Sequence, residues 1–103
     1  MSKMSRDKGK RGEREIAKIL KERGYDARRG QQYCGANGDA DVIGLPGFHL
    51  EVKRTEKLTA YPYLEQAKAD ANEGEIPIVL HRPNGKQWIA IMDLDDLLDI
   101  ISD

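Results

Sequence analysis

DVIGLPGFHLEVK, residues 41–53, specifies a pair of strands and, with it, the arrangement of the whole chain. The apolar runs over 40–45 and 48–54 are rich in β-branched and large apolar residues, which favour strands. Pro46-Gly47 lies between the runs and is typical of a turn. These residues therefore predict a β-hairpin.

The predicted hairpin brings charged side chains together. Side chains alternate between the faces of a strand, so Glu51 and Lys53 are expected on the same face. Alone, this pair would be typical of an exposed strand carrying a surface ion pair, which contributes little stability. Asp41 in the partner strand changes that interpretation, because two carboxylates on one face repel each other unless a cation lies between them. Magnesium prefers such oxygen ligands, and a bound Mg²⁺ polarises a phosphate and activates water.

The parity of the turn decides whether the two carboxylates meet. A two-residue turn at Pro46-Gly47 would pair Leu45 with Phe48, and Asp41 would then lie on the face opposite to Glu51. A shared metal site needs Asp41 on the same face as Glu51. We therefore predict a connection with an odd number of residues, or a bulge, between the strands.

Outside the hairpin, helical periodicity, turn residues and apolar runs predict the remaining elements. Residues 1–11 lack apolar periodicity and are expected to form a flexible basic arm, followed by one domain over 12–103. The predicted elements of that domain are a helix from Gly12 to Gly24, a glycine-rich loop over 28–38, a helix over 62–72, strands over 76–82 and 86–92 joined at Asn84-Gly85, and a helix capped by Asp93 with a stripe of Leu94, Leu97, Leu98 and Ile101. The resulting order is α-β-β-α-β-β-α, a mixed α/β (α+β) sheet partly covered by helices.

Length and composition narrow the class of protein. The chain has 103 residues, of which 39% are hydrophobic and 34% charged, which suits one compact domain with a highly charged surface. No apolar stretch is long enough for a membrane span, and a cytoplasmic location is expected. Cys34, the single cysteine, cannot form an internal disulfide.

The charges are distributed unevenly along the chain. Residues 1–30 hold eleven Lys or Arg and five Asp or Glu, whereas residues 91–103 hold five Asp and no basic residue. A basic segment can neutralise backbone phosphates, although a solvated helix face explains the same charges.

The motif resembles a known superfamily. Asp41, followed after nine residues by Glu51-Val52-Lys53, is similar to the PD-(D/E)XK nuclease motif, with Ala40 in the place of its proline. Gly12-Glu13-Arg14-Glu15 and Glu65-Gln66-Ala67 resemble further motifs of the archaeal-type Holliday junction resolvases. The resemblance spans roughly residues 8 to 101, and it implies a restriction-endonuclease-like core.

The resemblance also implies function and site residues. It implies a structure-selective DNA endonuclease acting on four-way or other branched DNA, with Mg²⁺ as the cofactor, Mn²⁺ as a substitute, and a homodimer as the active species. The implied catalytic residues are Glu13, Asp41, Glu51 and Lys53. The implied metal ligands are Asp41, Glu51, the backbone carbonyl of Val52 and, through water, Glu13. The implied DNA contacts are Lys10, Arg11, Arg14, Arg28, Arg29 and Gln66.

Other interpretations of the sequence remain open at this point. A nuclease of the same fold with a nicking, restriction or branched-DNA repair role, a non-catalytic DNA-binding protein and a protein-interaction module would each carry many of these features. His49 shares the strand face of Glu51, but a single histidine there is typical of a surface or partly buried residue. Tyr61 and Tyr63 suit either base stacking or packing under a helix, and Trp88 suits the core or a subunit interface.

Overall fold

The computed structural model describes residues 3–30 and 40–102, and the side chains from residue 7 onward within those ranges. Cys34 and most of the predicted glycine-rich loop lie outside these residues. The observed elements are α1 (Lys3–Glu22), β1 (Arg28–Arg29), β2 (Val42–Ile43), β3 (Phe48–Lys53), α2 (Ala60–Asp70), β4 (Ile76–His81), β5 (Ile89–Ile91) and α3 (Leu94–Ile101).

The five strands form one mixed sheet in the order β1-β2-β3-β4-β5. The β3–β4 pair is parallel and the other pairs are antiparallel, so the predicted mixed sheet is confirmed. The order contains one strand more than predicted, because Arg28–Arg29 pairs with β2 rather than belonging to the loop. An isolated Arg-Arg pair carries no apolar alternation, so only tertiary pairing identifies it as a strand.

The register of the β2–β3 hairpin has the predicted parity. Val42 lies opposite Leu50, and one step further along the strands this register places Asp41 opposite Glu51. A two-residue turn would have paired Asp41 with Val52 instead. The prediction of an odd connection is therefore confirmed.

The first helix begins earlier than predicted. α1 starts at Lys3, so residues 3–11, which the sequence predicted as part of a flexible basic arm, are helical. Gly12 does not start the helix but lies inside it, where an added Cβ would stand 2.9 Å from the Cβ of Arg54. Lys8 contacts Glu56 at 2.8 Å, a long-range ion pair that sequence periodicity does not reveal. The predicted end is correct, because Gly24 has a φ of +95° just after the helix.

Two helices cover the two faces of the sheet. α1 packs on the face that carries Leu50 and Val52, where the larger core cluster lies. α2 covers the other face through Leu64 and Ala67, which pack against Val79 of β4. α2 runs two residues earlier than predicted at both ends. The sheet is thus the middle of three layers, and the Glu51 face of β3 lies on the α2 side.

The connection between β4 and β5 is longer than the predicted Asn84-Gly85 turn. His81 pairs with Ile89, so residues 82–88 join the strands and β5 is shorter than predicted. The Arg54 guanidinium holds this connection by donating to the Arg82 carbonyl at 3.1 Å and to Asn84 Oδ1 at 2.7 Å.

The last helix has the predicted apolar stripe but does not bury it. None of the residues of α3 is buried by the described part of the chain. The exposed fractions are 66% for Leu94, 41% for Leu97, 46% for Leu98 and 65% for Ile101. An ion pair of 2.9 Å between Lys68 and Asp93 attaches the start of α3 to α2. No helix in residues 3–30 and 40–102 has the length and apolar character needed to cross a membrane.

Candidate active site

Asp41 lies where the hairpin strands separate. β2 has only two residues, so β3 extends past its strand partner at this end. The N–H of Asp41 donates to the Leu50 carbonyl at 3.0 Å, and the Asp41 carbonyl accepts from the Gly30 N–H at 2.9 Å. The side chain accepts from the Val52 N–H through Oδ2 at 2.8 Å. These hydrogen bonds fix the Asp41 carboxylate against the backbone of β3.

Glu51 is a buried carboxylate in the middle strand of the sheet. Its residue is 6% exposed, and its carboxyl group is hydrogen-bonded to that of Asp41. Oε1 of Glu51 also lies 2.7 Å from Nε2 of His49, two residues earlier on the same strand face. The structure therefore brings together Asp41 and Glu51, as the register predicted.

Burial and mutual repulsion perturb this carboxyl pair. Desolvation and the neighbouring Glu51 charge raise the pKa of Asp41 to about 7, although the Val52 N–H acts in the opposite direction. Burial alone would raise the pKa of Glu51, but hydrogen bonds from His49 and Asp41 lower it overall. Without a cation, the pKa of Asp41 therefore lies close to neutral pH, well above that of an ordinary carboxyl group.

Glu13 approaches the pair from α1. Its charge contributes to the raised pKa of Asp41, so the third predicted carboxylate is near the first. Oε1 of Glu13 accepts a hydrogen bond of 2.9 Å from Nε of Arg29, and the Glu13 side chain is only 15% exposed. Arg29, predicted as a DNA contact, therefore holds Glu13 in this state.

Lys53 extends from the end of β3 toward α2. Its Nζ donates to Gln66 Oε1 at 3.0 Å and lies 5.1 Å from the centroid of the Tyr63 ring. Gln66, predicted as a DNA contact, is thus also a partner of the predicted catalytic lysine. Tyr63 packs at the site, whereas Tyr61 is 80% exposed.

The burial of His49 differs from what its sequence context suggested. His49 is 3% exposed, whereas the sequence suggested a surface or partly buried residue, and its hydrogen bond to Glu51 raises its pKa. Among the described residues, His49, Glu51 and Asp70 form a group whose donor atoms lie within 4.8 Å of one another. The sequence feature that indicated the contact is the i, i+2 spacing of His49 and Glu51. This spacing predicts that the two side chains are neighbours on one strand face, but not that they are buried.

The predicted DNA-contacting residues of α1 share one surface. Lys10, Arg11 and Arg14 are exposed and, with Asp7, line a shallow cleft on the outer side of the helix. Arg28 is exposed on a groove at the β2–β3 turn, and strand alternation directs it away from the face of Arg29. The basic residues therefore form a surface along α1, with Arg28 apart from it.

The raised pKa of Asp41 predicts a pH-dependent stability of the metal-free protein. In the unfolded chain Asp41 ionises near 3.8, whereas in the folded protein it keeps its proton up to about pH 7. The resulting stabilisation is present below the unfolded pKa and is lost as pH rises through the folded pKa. Unfolding in urea with EDTA, from pH 5 to pH 9, should show this decline.

The matched variant for this measurement is Asp41→Asn, whose amide accepts from Val52 and donates to Glu51 without a titrating proton. Its stability should decline less than that of the parent between pH 5 and pH 8. Parallel curves for the two proteins would contradict the assignment of the retained proton to Asp41.

The fold and the site together define a class of enzyme. A mixed sheet that presents Asp41, Glu51 and Lys53 where two strands separate, with a helical glutamate beside them, is the arrangement of a PD-(D/E)XK nuclease. The family model described as "Archaeal holliday junction resolvase (hjc)" matches residues 4–97, and the chain belongs to this family. It is therefore a structure-selective endonuclease of DNA junctions.

A solved structure shows the same fold. The chain is similar to Archaeoglobus fulgidus Hjc, a Holliday junction resolvase from an archaeal hyperthermophile, with a TM-score of 0.61 and 22% sequence identity. The match covers 82% of this chain and 76% of that chain. No curated protein matches the sequence.

Proposed function

We propose that this resolvase hydrolyses phosphodiester bonds at four-way DNA junctions with Mg²⁺ held by Asp41 and Glu51. The observation that carries the proposal is the close approach of the Asp41 carboxyl group to the buried Glu51 carboxyl group, where burial and this proximity raise the pKa of Asp41. Glu13 would complete the acidic group, and the Val52 carbonyl would add a backbone oxygen. A DNA substrate also accords with the cytoplasmic location expected from the sequence.

The donor set fits a hard divalent cation. Carboxylate oxygens are the ligands that Mg²⁺ prefers, and Mn²⁺ accepts the same ligands. A divalent ion can replace the proton on Asp41 and remove the repulsion between the carboxylates. When bound, such an ion polarises the scissile phosphate and lowers the pKa of a coordinated water.

The contacts of Lys53 favour an electrostatic role. An ammonium that donates to Gln66 and lies over the Tyr63 ring is held as a positioned cation. A positioned cation stabilises negative charge that develops on a phosphate in the transition state. We therefore assign Lys53 to charge stabilisation and Gln66 to its orientation.

Arg29 and the basic surface of α1 would bind the DNA backbone. Arg29 holds Glu13 through one guanidinium nitrogen and is 34% exposed, so a phosphate can approach its remaining donors. Lys10, Arg11 and Arg14 neutralise phosphates without reading bases, which suits recognition of DNA structure.

A second copy of the chain would cover α3. The edge strand β5 also carries an exposed apolar side chain, because Ile89 is 49% exposed. Exposed apolar faces of this kind mark protein interfaces, and a two-fold dimer pairs identical faces. Such a dimer has two active sites and allows paired cuts at a junction.

The function is tested with labelled four-way junction, nicked duplex, flap and linear duplex of shared sequence. The four-way junction should be bound in Ca²⁺ and cut after exchange into Mg²⁺ or Mn²⁺, with linear duplex intact. Cutting of linear duplex at a fixed sequence would indicate restriction activity instead. Binding without cutting in Mg²⁺ and Mn²⁺ would indicate a non-catalytic DNA-binding protein.

A further inference from the structure

Two histidines are buried to the same extent but have different partners. His49 of β3 and His81 of β4 are each 3% exposed. Nε2 of His81 lies 2.9 Å from the backbone carbonyl of Thr55 and 3.2 Å from its hydroxyl. Nε2 of His49 lies 2.7 Å from a side-chain oxygen of Glu51. Only the histidine of β3 therefore contacts a residue of the proposed metal site.

The hydrogen bond of His49 has a defined direction. An ionised carboxylate can only accept, so Nε2 of His49 carries the hydrogen and donates it to Oε1 of Glu51. The other side of the ring faces Glu75, with 3.9 Å between Nδ1 and Oε1. Asp70 is also close, since its carboxylate belongs to the group of donor atoms within 4.8 Å of one another, so the ring lies among three acidic residues. Strand alternation places it on the Glu51 face of β3.

Burial restricts how this pair can move. His49 and Glu51 lie in the middle strand of the sheet, between β2 and β4, and both residues are less than a tenth exposed. A buried carboxylate held at one oxygen by a buried donor has few alternative rotamers. The second oxygen is then left for the carboxyl group of Asp41 or for a cation.

We infer that His49 is a positioning residue for the metal site, holding one oxygen of Glu51 so that the other is presented toward Asp41. Groups that hydrogen-bond to a metal ligand orient it, and their removal typically weakens metal binding about 10- to 100-fold. The inference rests on the proposed function, because it needs Glu51 to bind the ion. In this proposal, His49 neither contacts DNA nor transfers a proton.

The test measures the affinity of the protein for Mn²⁺ without DNA. Free Mn²⁺ is followed by electron paramagnetic resonance during titration of the parent and of the His49→Leu, His49→Gln and His81→Leu variants. His49→Leu should weaken Mn²⁺ binding about 10- to 100-fold. His49→Gln should retain most of the affinity, because its amide N–H can occupy nearly the position of Nε2 and donate to Glu51. His81→Leu should lower thermal stability without this loss of affinity.

A second pair of variants keeps the test decisive if His49→Leu does not fold. His49→Asn keeps a polar amide, but its shorter side chain places the donor too far from Glu51. The asparagine variant should therefore bind Mn²⁺ more weakly than the glutamine variant. Equal affinity of these two variants would overturn the inference.

The outcomes separate this inference from the proposed function. If Glu51→Gln weakens Mn²⁺ binding and His49→Leu does not, the positioning role is wrong and the metal site stands. Equal losses in His49→Leu and His81→Leu would also overturn it, since a general loosening of the sheet would explain both. If Glu51→Gln binds Mn²⁺ as tightly as the parent, the proposed ligand set itself is wrong.

Discussion

The Asp41→Asn variant is expected to cut a four-way junction about 10³-fold more slowly than the parent, because loss of a metal ligand removes several kcal/mol of transition-state stabilisation. Asparagine keeps the acceptor for the Val52 N–H, so the backbone contact that positions residue 41 is preserved. Junction binding in Ca²⁺ should change little, since the basic surface of α1 is intact. Single-turnover cleavage with excess protein measures the effect.

Asp70 provides the matched control for this prediction. It belongs to the group of His49, Glu51 and Asp70, which offers an ion a different location from the Asp41 side. Asp70→Asn should cut at nearly the parental rate, because Asp70 is exposed and Nε2 of His49 is already occupied by Glu51. A large loss in Asp70→Asn with a small loss in Asp41→Asn would move the metal site to the other side of Glu51.

The Leu98→Glu variant is expected to separate the proposed dimer into monomers. Leu98 lies within the exposed stripe of α3, and a charge at the centre of an apolar interface costs about 2–4 kcal/mol. The dimer dissociation constant should therefore rise about 30-fold to 10³-fold. Glutamate is a good helix former, so α3 itself should persist. Sedimentation velocity over a range of protein concentrations measures the change.

The consequence of dissociation for cutting can be read on a supercoiled plasmid with an extruded cruciform. The parental dimer should produce linear molecules by paired cuts, whereas the monomer should produce nicked circles. Ile19→Glu is the matched control, because Ile19 is 38% exposed and belongs to α1 rather than to α3. A parent that sediments as a monomer, or a dimer that survives Leu98→Glu, would contradict the proposed interface.

The β2–β3 hairpin was predictable from sequence because most of its constraints are local. Alternation along β3, together with the requirement that Asp41 share the face of Glu51, predicts an odd connection, and the Val42–Leu50 pairing confirms that register. The helix end at Gly24 is also local, since a residue with positive φ terminates the helix.

The remaining features depend on contacts between distant residues. The predicted start of α1 at Gly12 was wrong because contacts between distant segments were not visible in the sequence. Lys8 pairs with Glu56, and Gly12 fits against Arg54. The burial of His49 depends on the strands and helix that surround β3, so a single-strand pattern could not predict it. The exposed stripe of α3 looks in sequence like any helix that packs on its own core.

The parallel pairing of β3 with β4 has a consequence for how the enzyme matures. Phe48 pairs with Ile76 across a connection that includes all of α2, so this pairing forms between distant parts of the chain and is intrinsically slow. Glu13 lies on α1, Asp41 and Glu51 lie on the β2–β3 hairpin, and Gln66 lies on α2, so the complete proposed site forms only when both helices pack on the sheet. We therefore expect a nascent or partly folded chain to lack cutting activity until this pairing has formed.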